Sequence, residues 1–366
     1  MKLLLAGNLA NYSYYLTKLL RAHGINAELL MQKYPSESSD PKTLDSNMTD
    51  YPSWIKFWNN HNKSWKIQII KIMRKYDLIQ ASTELPIFSL FSGKPYIAFP
   101  TGSDITRLVF EKSLKGILLN MAYKKAKLII YPGVYMHPMI KKLHLKNAIF
   151  IPPPWNYEKF SPRENIKTNE KLVIFHPTAH NWKQKGNDLF LNAFVKLCHE
   201  RDDVHLIIIN RGDDFKKSTD LLKDIHCDGK FEILNSTVNQ DELPELYNKA
   251  DVVVDAFIDG STGLIGQEAM SCGKPLIQYT DEDLYMKLYG EIPPIINAKN
   301  ENDVYNALKN LIENRDAANK IGKKSREWLL KHHDPEKIMR KYLFIYEAIK
   351  ENKDIQFIKE GIKSIT

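Results

Sequence analysis

Cysteine is scarce: the 366 residues carry three, Cys198, Cys227 and Cys272, and no CxxC pair. An odd set spaced this widely makes no disulfide framework, so the thiols read as inert and the compartment as reducing. Long apolar runs are missing too, and nothing approaches the ~18 residues of a membrane span. The first run, Leu3-Leu4-Leu5-Ala6, is stopped by Gly7-Asn8, too soon for the core of an export signal. These absences predict a cytoplasmic chain, at most peripheral at the inner face of the cell membrane. The familiar catalytic patterns GxSxG, Walker A and HExxH do not occur, and no Asp/Glu/His cluster has metal-ligand spacing. Gly7-Asn8-Leu9-Ala10 lacks the second and third glycines of a dinucleotide fingerprint, which disfavours an NAD site. The expectation is a chain with no metal and no cofactor, holding its ligand through backbone amides, a few charges and hydroxyl contacts.

What is present is ordinary in amount and uneven in placement. With 43% hydrophobic and 26% charged residues the chain can bury more than one core, and its length suggests two domains. The net charge of +8 is not shared evenly. Residues 1–150 carry 21 basic and 9 acidic residues, a net +12, whereas residues 151–366 carry 31 and 35, a net −4. Short β-type runs alternate with helical segments: Lys2–Ala6, Leu78–Ala81, Tyr96–Phe99 and Leu128–Tyr131, then Leu172–Phe175, His205–Asn210, Phe231–Leu234, Asp251–Ala256 and Pro275–Tyr279. Strands separated by helices imply parallel, doubly wound sheets. Ile151-Pro152-Pro153-Pro154 breaks the alternation, because proline fixes φ and removes a donor. The predicted fold is α/β, with two Rossmann-like domains, 1–150 and 151–334, facing a cleft. A last helical stretch, 335–366, has apolar residues at Ile338, Tyr342, Ile345 and Ile349 and is expected to pack back on the first domain.

The most informative segment runs from Asp251 to Pro275. A strand passes into Gly260-Ser261-Thr262-Gly263 and then into a helix, so the N–H groups around Thr262–Ile265 point outward from a positive helix end, as a phosphate site requires. A plain Gly-rich turn has the same composition. Glu268 falls in the first turn or so, where a carboxylate can accept two vicinal hydroxyls.

Gly263-Leu264, Glu268-Ala269-Met270 and Cys272-Gly273-Lys274-Pro275 resemble the E-G-F-G-L-x-x-x-E-A-M-A-x-G-x-P block of the retaining, group-1 (GT4-like) glycosyltransferases of the GT-B fold. The resemblance implies a nucleotide-sugar donor, retention at the anomeric carbon and no essential metal. The family's ribose-binding glutamate maps onto Glu268. Its sugar-contacting glutamate maps onto Gly260, leaving Asp259 as the neighbouring carboxylate. His176 to Gly186 is similar to the family's G-R-x-x-x-x-K-G loop, whose Arg and Lys hold the donor diphosphate; Lys185 takes the lysine position and His180 the arginine position, with Lys183 close by. A fixed cation there stabilises the charge that develops on the leaving diphosphate. Asn239 to Tyr247 looks like the segment leading to the base pocket, and Ile151 to Phe160 like the interdomain linker. Gly102-Ser103-Asp104 looks like a cleft-facing "HGSD" loop, in which Asp104 either accepts from a sugar hydroxyl or caps a helix. The catalytic set implied is Lys185, His180 and Asp104. The donor-binding set is Glu268, Thr262, Gly263, Leu264 and Ile265, together with Lys183, Thr178, Asp259, Gly7 and Asn8. The departures at Gly260, Thr101 and His180 keep open a second reading, a catalytically impaired relative that only binds nucleotide sugars.

The basic first domain is the acceptor side of this family. Residues 51–76 contain six basic residues and no acid, interleaved with Trp54, Phe57, Trp58 and Trp65, and residues 112–146 add eight lysines, again without an acid. Lysines mixed with aromatics suit an anionic membrane surface carrying a glycan or lipid-linked acceptor. A buried aromatic segment with a solvated lysine face is the other reading. No signature of nucleic-acid binding occurs.

Overall fold

The structure is a computed structural model, and it describes every residue except 46, 164–170, 224, 236, 237, 239, 240 and 366. The chain divides into two units, Met1–Pro154 with Pro335–Thr366, and Trp155–Asp334.

The first unit contains seven strands: β1 (Lys2–Ala6), β2 (Asn26–Gln32), β3 (Ile55–Trp58), β4 (Leu78–Ser82), β5 (Tyr96–Phe99), β6 (Leu128–Tyr131) and β7 (Ala148–Phe150). They form one parallel sheet in the order β3-β2-β1-β4-β5-β6-β7. Helices cover both faces, so β1 reads as an uninterrupted apolar run, and Leu3, Leu4 and Leu5 are all fully buried. The helix Pro335–Lys350 belongs to this unit. Its Ile338, Tyr342, Ile345 and Ile349 are buried, and Tyr346 Oη donates to Gln80 Oε1 on β4 at 2.8 Å.

The second unit contains β8 (Leu172–His176), β9 (Val204–Ile209), β10 (Phe231–Leu234), β11 (Val252–Val254), β12 (Leu276–Gln278) and β13 (Ile296–Asn297). They form a second parallel sheet in the order β10-β9-β8-β11-β12-β13. Its core joins Ile174, Leu206, Ile208, Val252 and Val254 to Phe190, Phe194 and Leu197 of the helix Asn187–Cys198. The two α/β units are the Rossmann-like pair expected from the alternation of strands and helices. Four strands outside that expectation, β2, β3, β7 and β13, complete the sheets.

Candidate functional site

In the second sheet the strand order reverses between β8 and β11. Crossovers on either side of such a point leave by opposite faces and open a crevice at the carboxyl ends of the strands. The loops after β8, β9 and β11 converge there and are laced together by their backbones. Phe257 N–H donates to Lys185 O (2.8 Å), His180 N–H to Arg211 O (2.7 Å) and Asp214 N–H to His180 O (2.9 Å). Gly212 makes the last two approaches possible. It sits at φ +109°, and a Cβ on it would lie 2.4 Å from His180 O and 2.5 Å from His180 N. Gly212→Ala should therefore cost at least ~2 kcal/mol, measured as a fall of several degrees in Tm.

Below the loops lies a buried polar layer. His176 Nδ1 meets Val254 O (2.8 Å) and its Nε2 meets Asn187 Nδ2 (3.0 Å); burial lowers its pKa to about 3, so it is neutral. Thr178 is buried and its hydroxyl donates to Asp255 Oδ1 at 2.7 Å. This places Thr178 as a support for Asp255 rather than a donor contact. Asp255 directly follows β11 and is buried, and its pKa is raised by burial against the opposing pull of the Thr178 hydroxyl and the Lys185 charge. Thr178→Val leaves that carboxyl without its hydroxyl donor, and a Tm loss equivalent to about 1–3 kcal/mol is expected.

His180 belongs to the same layer. It is fully buried, its Nδ1 lies 2.8 Å from Ser218 Oγ, and burial, assisted by the Arg211 charge, lowers its pKa to about 4. A neutral, enclosed imidazole is no cation for a diphosphate, which corrects the role expected of it. The arginine of this site comes instead from the next loop. Arg211 is exposed, its Nη2 is fixed on Pro177 O at 2.9 Å, and its charge reaches both His180 and Glu268. Lys185 is half-buried at the end of the turn Trp182–Lys185, beside Asp255, while Lys183 on the same turn points into solvent.

Above this layer the helix Leu264–Ser271 begins at Gly263 with no side-chain cap, so the leading N–H groups of Gly263, Leu264 and Ile265 face outward. Thr262 does not join them. Its N–H donates to Tyr285 Oη (2.8 Å), and its hydroxyl accepts from Tyr285 Oη (2.8 Å) and from Gln278 Nε2 (3.0 Å). Thr262 thus anchors the loop, and the outward-facing amides start one residue later than expected. Glu268, one turn into the helix, is half-buried and accepts from Tyr247 Oη at 2.5 Å. Burial pushes its pKa up to about 7 despite that hydrogen bond, with Asp255 adding to the rise and Arg211 and Lys159 opposing it. Gly260 is at φ +61°, with a would-be Cβ 2.9 Å from Asp281 Cβ, so this loop conformation excludes a carboxylate at that position. Asp259 is the exposed acid beside it.

The candidate residues of the first unit serve its own fold. Asn8 follows Gly7 at the end of β1 and is buried; its Nδ2 donates to Asn11 Oδ1 and Ser39 O, both at 2.8 Å, and its Oδ1 accepts from Tyr14 N–H at 2.9 Å. Asp104 is buried and accepts from Thr101 N–H (3.0 Å), Gly102 N–H (2.7 Å) and Tyr123 Oη (3.1 Å), with its pKa raised by burial. It staples the loop in front of it, which leaves neither the open acid nor the helix cap that the sequence suggested. The aromatic residues of 51–76 turn inward: Trp58 is buried, Trp54 stacks on Tyr14 at 5.6 Å between ring centroids, and Trp65 packs edge-on to Phe88 at 5.5 Å. The segment Asn239–Tyr247 is described only in part, since Asn239 and Gln240 lie outside the described residues.

Two Rossmann-like units, each built on a parallel sheet, are the architecture of the GT-B fold, and the second carries an uncapped helix end and a half-buried carboxylate at its switch point. Residues 156–328, nearly the whole second unit, match the family Glycosyl transferases group 1. The chain also resembles an uncharacterized glycosyltransferase, MJ1607, of Methanocaldococcus jannaschii, at 31% identity over 133 residues. That match covers 34% of this chain and about a third (33%) of the relative's length. Among solved structures, Anabaena HepE in complex with UDP and glucose superposes with a TM-score of 0.75 at 13% identity, covering 96% of this chain and 100% of HepE. Sucrose-phosphate synthase of Thermosynechococcus elongatus gives a TM-score of 0.75 at 14% identity, with the same coverage.

Proposed function

We propose that this protein is a glycosyltransferase that binds a nucleoside-diphosphate sugar on its second unit and transfers the sugar, with retention and without a metal, to a glycan or lipid-linked acceptor. The observation that carries this reading is the arrangement at the β8–β11 switch point. An uncapped helix end, the charges of Lys185 and Arg211 and the half-buried Glu268 share one crevice. The amides and cations suit a diphosphate, and the carboxylate suits a pair of ribose hydroxyls. Holding the leaving diphosphate in this way lowers the barrier through positioning and electrostatics, with no protein nucleophile. Because Gly260 excludes a carboxylate beside the sugar, Asp259 is the acid placed to accept from its hydroxyls.

The first unit takes the acceptor, and the protein works in the cytoplasm, peripheral to an anionic membrane surface. UDP-glucose, the ligand of one HepE crystal structure, is the first donor to test. A thermal-shift screen over UDP-, GDP- and ADP-sugars should give a rise in Tm with one base class, since a ligand of the folded state alone stabilises it. No shift with any of them overturns the reading. The second reading, a binding protein without turnover, draws on the same Gly260 geometry; a donor that binds but is neither hydrolysed nor transferred decides for it.

A further inference from the structure

The helix Leu114–Lys125 buries one face, Gly116, Leu119, Ala122 and Tyr123, against its own unit. Its outer face should then be polar, yet Leu114, Ile117 and Met121 are 73, 53 and 41% exposed. The spacing i, i+3, i+7 makes them one stripe along the helix, and the partly exposed Leu118 lies beside it. Phe110, just before the helix, is also exposed, with Lys142 Nζ 4.7 Å from its ring centroid. A surface helix apolar on both faces marks an interaction site.

The charges say what kind of surface it meets. Lys112 stands at the start of the stripe, with Lys115 beside it paired to Glu84, and Lys124 and Lys125 stand at its end, all exposed, and no acidic residue occurs between 112 and 150 in the sequence. A second copy meeting the same face would set lysines against lysines, which is repulsive. An anionic bilayer takes both parts: the apolar side chains enter the headgroup region, and the lysine stems extend along it with their ammonium groups among the phosphates.

We infer that Leu114, Ile117 and Met121, bracketed by these lysines, form the surface by which the first unit lies on an anionic membrane. This deepens the proposed membrane association, moving it from the inward-turned tryptophans to one helix face. The test is cosedimentation of the full chain with vesicles of phosphatidylcholine, with and without phosphatidylglycerol, alongside UDP-glucose binding in solution. Binding is expected only to the anionic vesicles and should weaken as salt rises. Lys124→Gln/Lys125→Gln should weaken it about 30-fold, and Leu114→Gln/Ile117→Gln/Met121→Gln at least ~10-fold. UDP-glucose affinity should be unchanged in both variants. Equal binding to both vesicle types, binding to neither, or variants that bind like the parent overturn the inference. So does self-association of the parent that the apolar variant abolishes, because a second copy then covers the stripe. Loss of UDP-glucose binding with vesicle binding intact counts against the proposed function alone.

Discussion

UDP-glucose affinity should fall by two to four orders of magnitude when Lys185 and Arg211 are both replaced by alanine. In the proposed donor site each cation would make a charge-assisted contact to a phosphate oxygen, and such contacts contribute about 1.5–3 kcal/mol each. The two come from different loops and have no hydrogen bond to one another, so their effects should be close to additive. Each single variant should then lose roughly 10- to 150-fold. The loss is specific to the diphosphate: uridine, which has none, should bind the parent and the double variant alike. Calorimetric titration with UDP-glucose and with uridine separates the outcomes. Parental UDP-glucose affinity in the double variant removes the diphosphate from this crevice. Equal losses for uridine and UDP-glucose mean that the loops have collapsed. His180→Gln provides the contrast. Because that imidazole is neutral and enclosed, the change should act through loop packing and Tm, with no change in the salt dependence of binding.

Parts of this site are legible in the sequence for physical reasons. β1, β5, β6, β8 and β11 stand out because strands covered on both faces are continuous apolar runs bounded by loop residues. β2 carries Asn26, Glu28 and Gln32 among its apolar residues, and β7 and β13 have three and two residues, too few to show a period. Glu268 and Lys185 can be picked out as candidates because the chemistry expected of them depends on local spacing, a loop running into a helix. Arg211 is not, because it reaches the site through the neighbouring positions of β8 and β9 in the sheet, which a linear motif does not encode. Its signal was the Asn210-Arg211-Gly212 turn directly after an apolar strand. The roles of His180, Thr178, Thr262 and Asp104 changed for one common reason. A polar residue in a loop motif looks the same in sequence whether it faces a ligand or holds the loop, and only the contacts its side chain makes within the fold separate the two. Asp255 and Tyr247 are the supports that such a motif leaves unseen.

Glu268→Gln should make the protein more stable at pH 8 while weakening its nucleotide binding. In the folded chain the Glu268 carboxyl titrates at about 7, against an ordinary value of 4.5. A folded pKa raised above the unfolded one means that the folded state holds its proton more tightly. The associated stability is fully present below about pH 4.5 and is lost as pH rises to 7. At pH 8 the ionised, half-buried carboxylate therefore costs up to ~3 kcal/mol relative to a neutral side chain. Glutamine keeps the shape and the acceptor for Tyr247 Oη but carries no charge. The variant's Tm should exceed the parent's by several degrees at pH 8, and the difference should vanish near pH 4.5. Ligand binding has the opposite sign, because a carboxylate accepts from two ribose hydroxyls more strongly than an amide does. Parent affinity for UDP-glucose, whose diphosphate releases no proton in this range, should rise between pH 6 and 8 and then level off. The Glu268→Gln variant should bind more weakly, about 10-fold or more below the parent at pH 8, and show no such rise. A Tm difference that does not change with pH would place the titrating group elsewhere. A pH-dependent Tm difference with unaltered affinity would leave Glu268 buried as described but take the ribose away from it. The helix that presents this carboxylate thus carries a stability cost at neutral pH and above, which the ribose hydroxyls of the proposed nucleotide would offset.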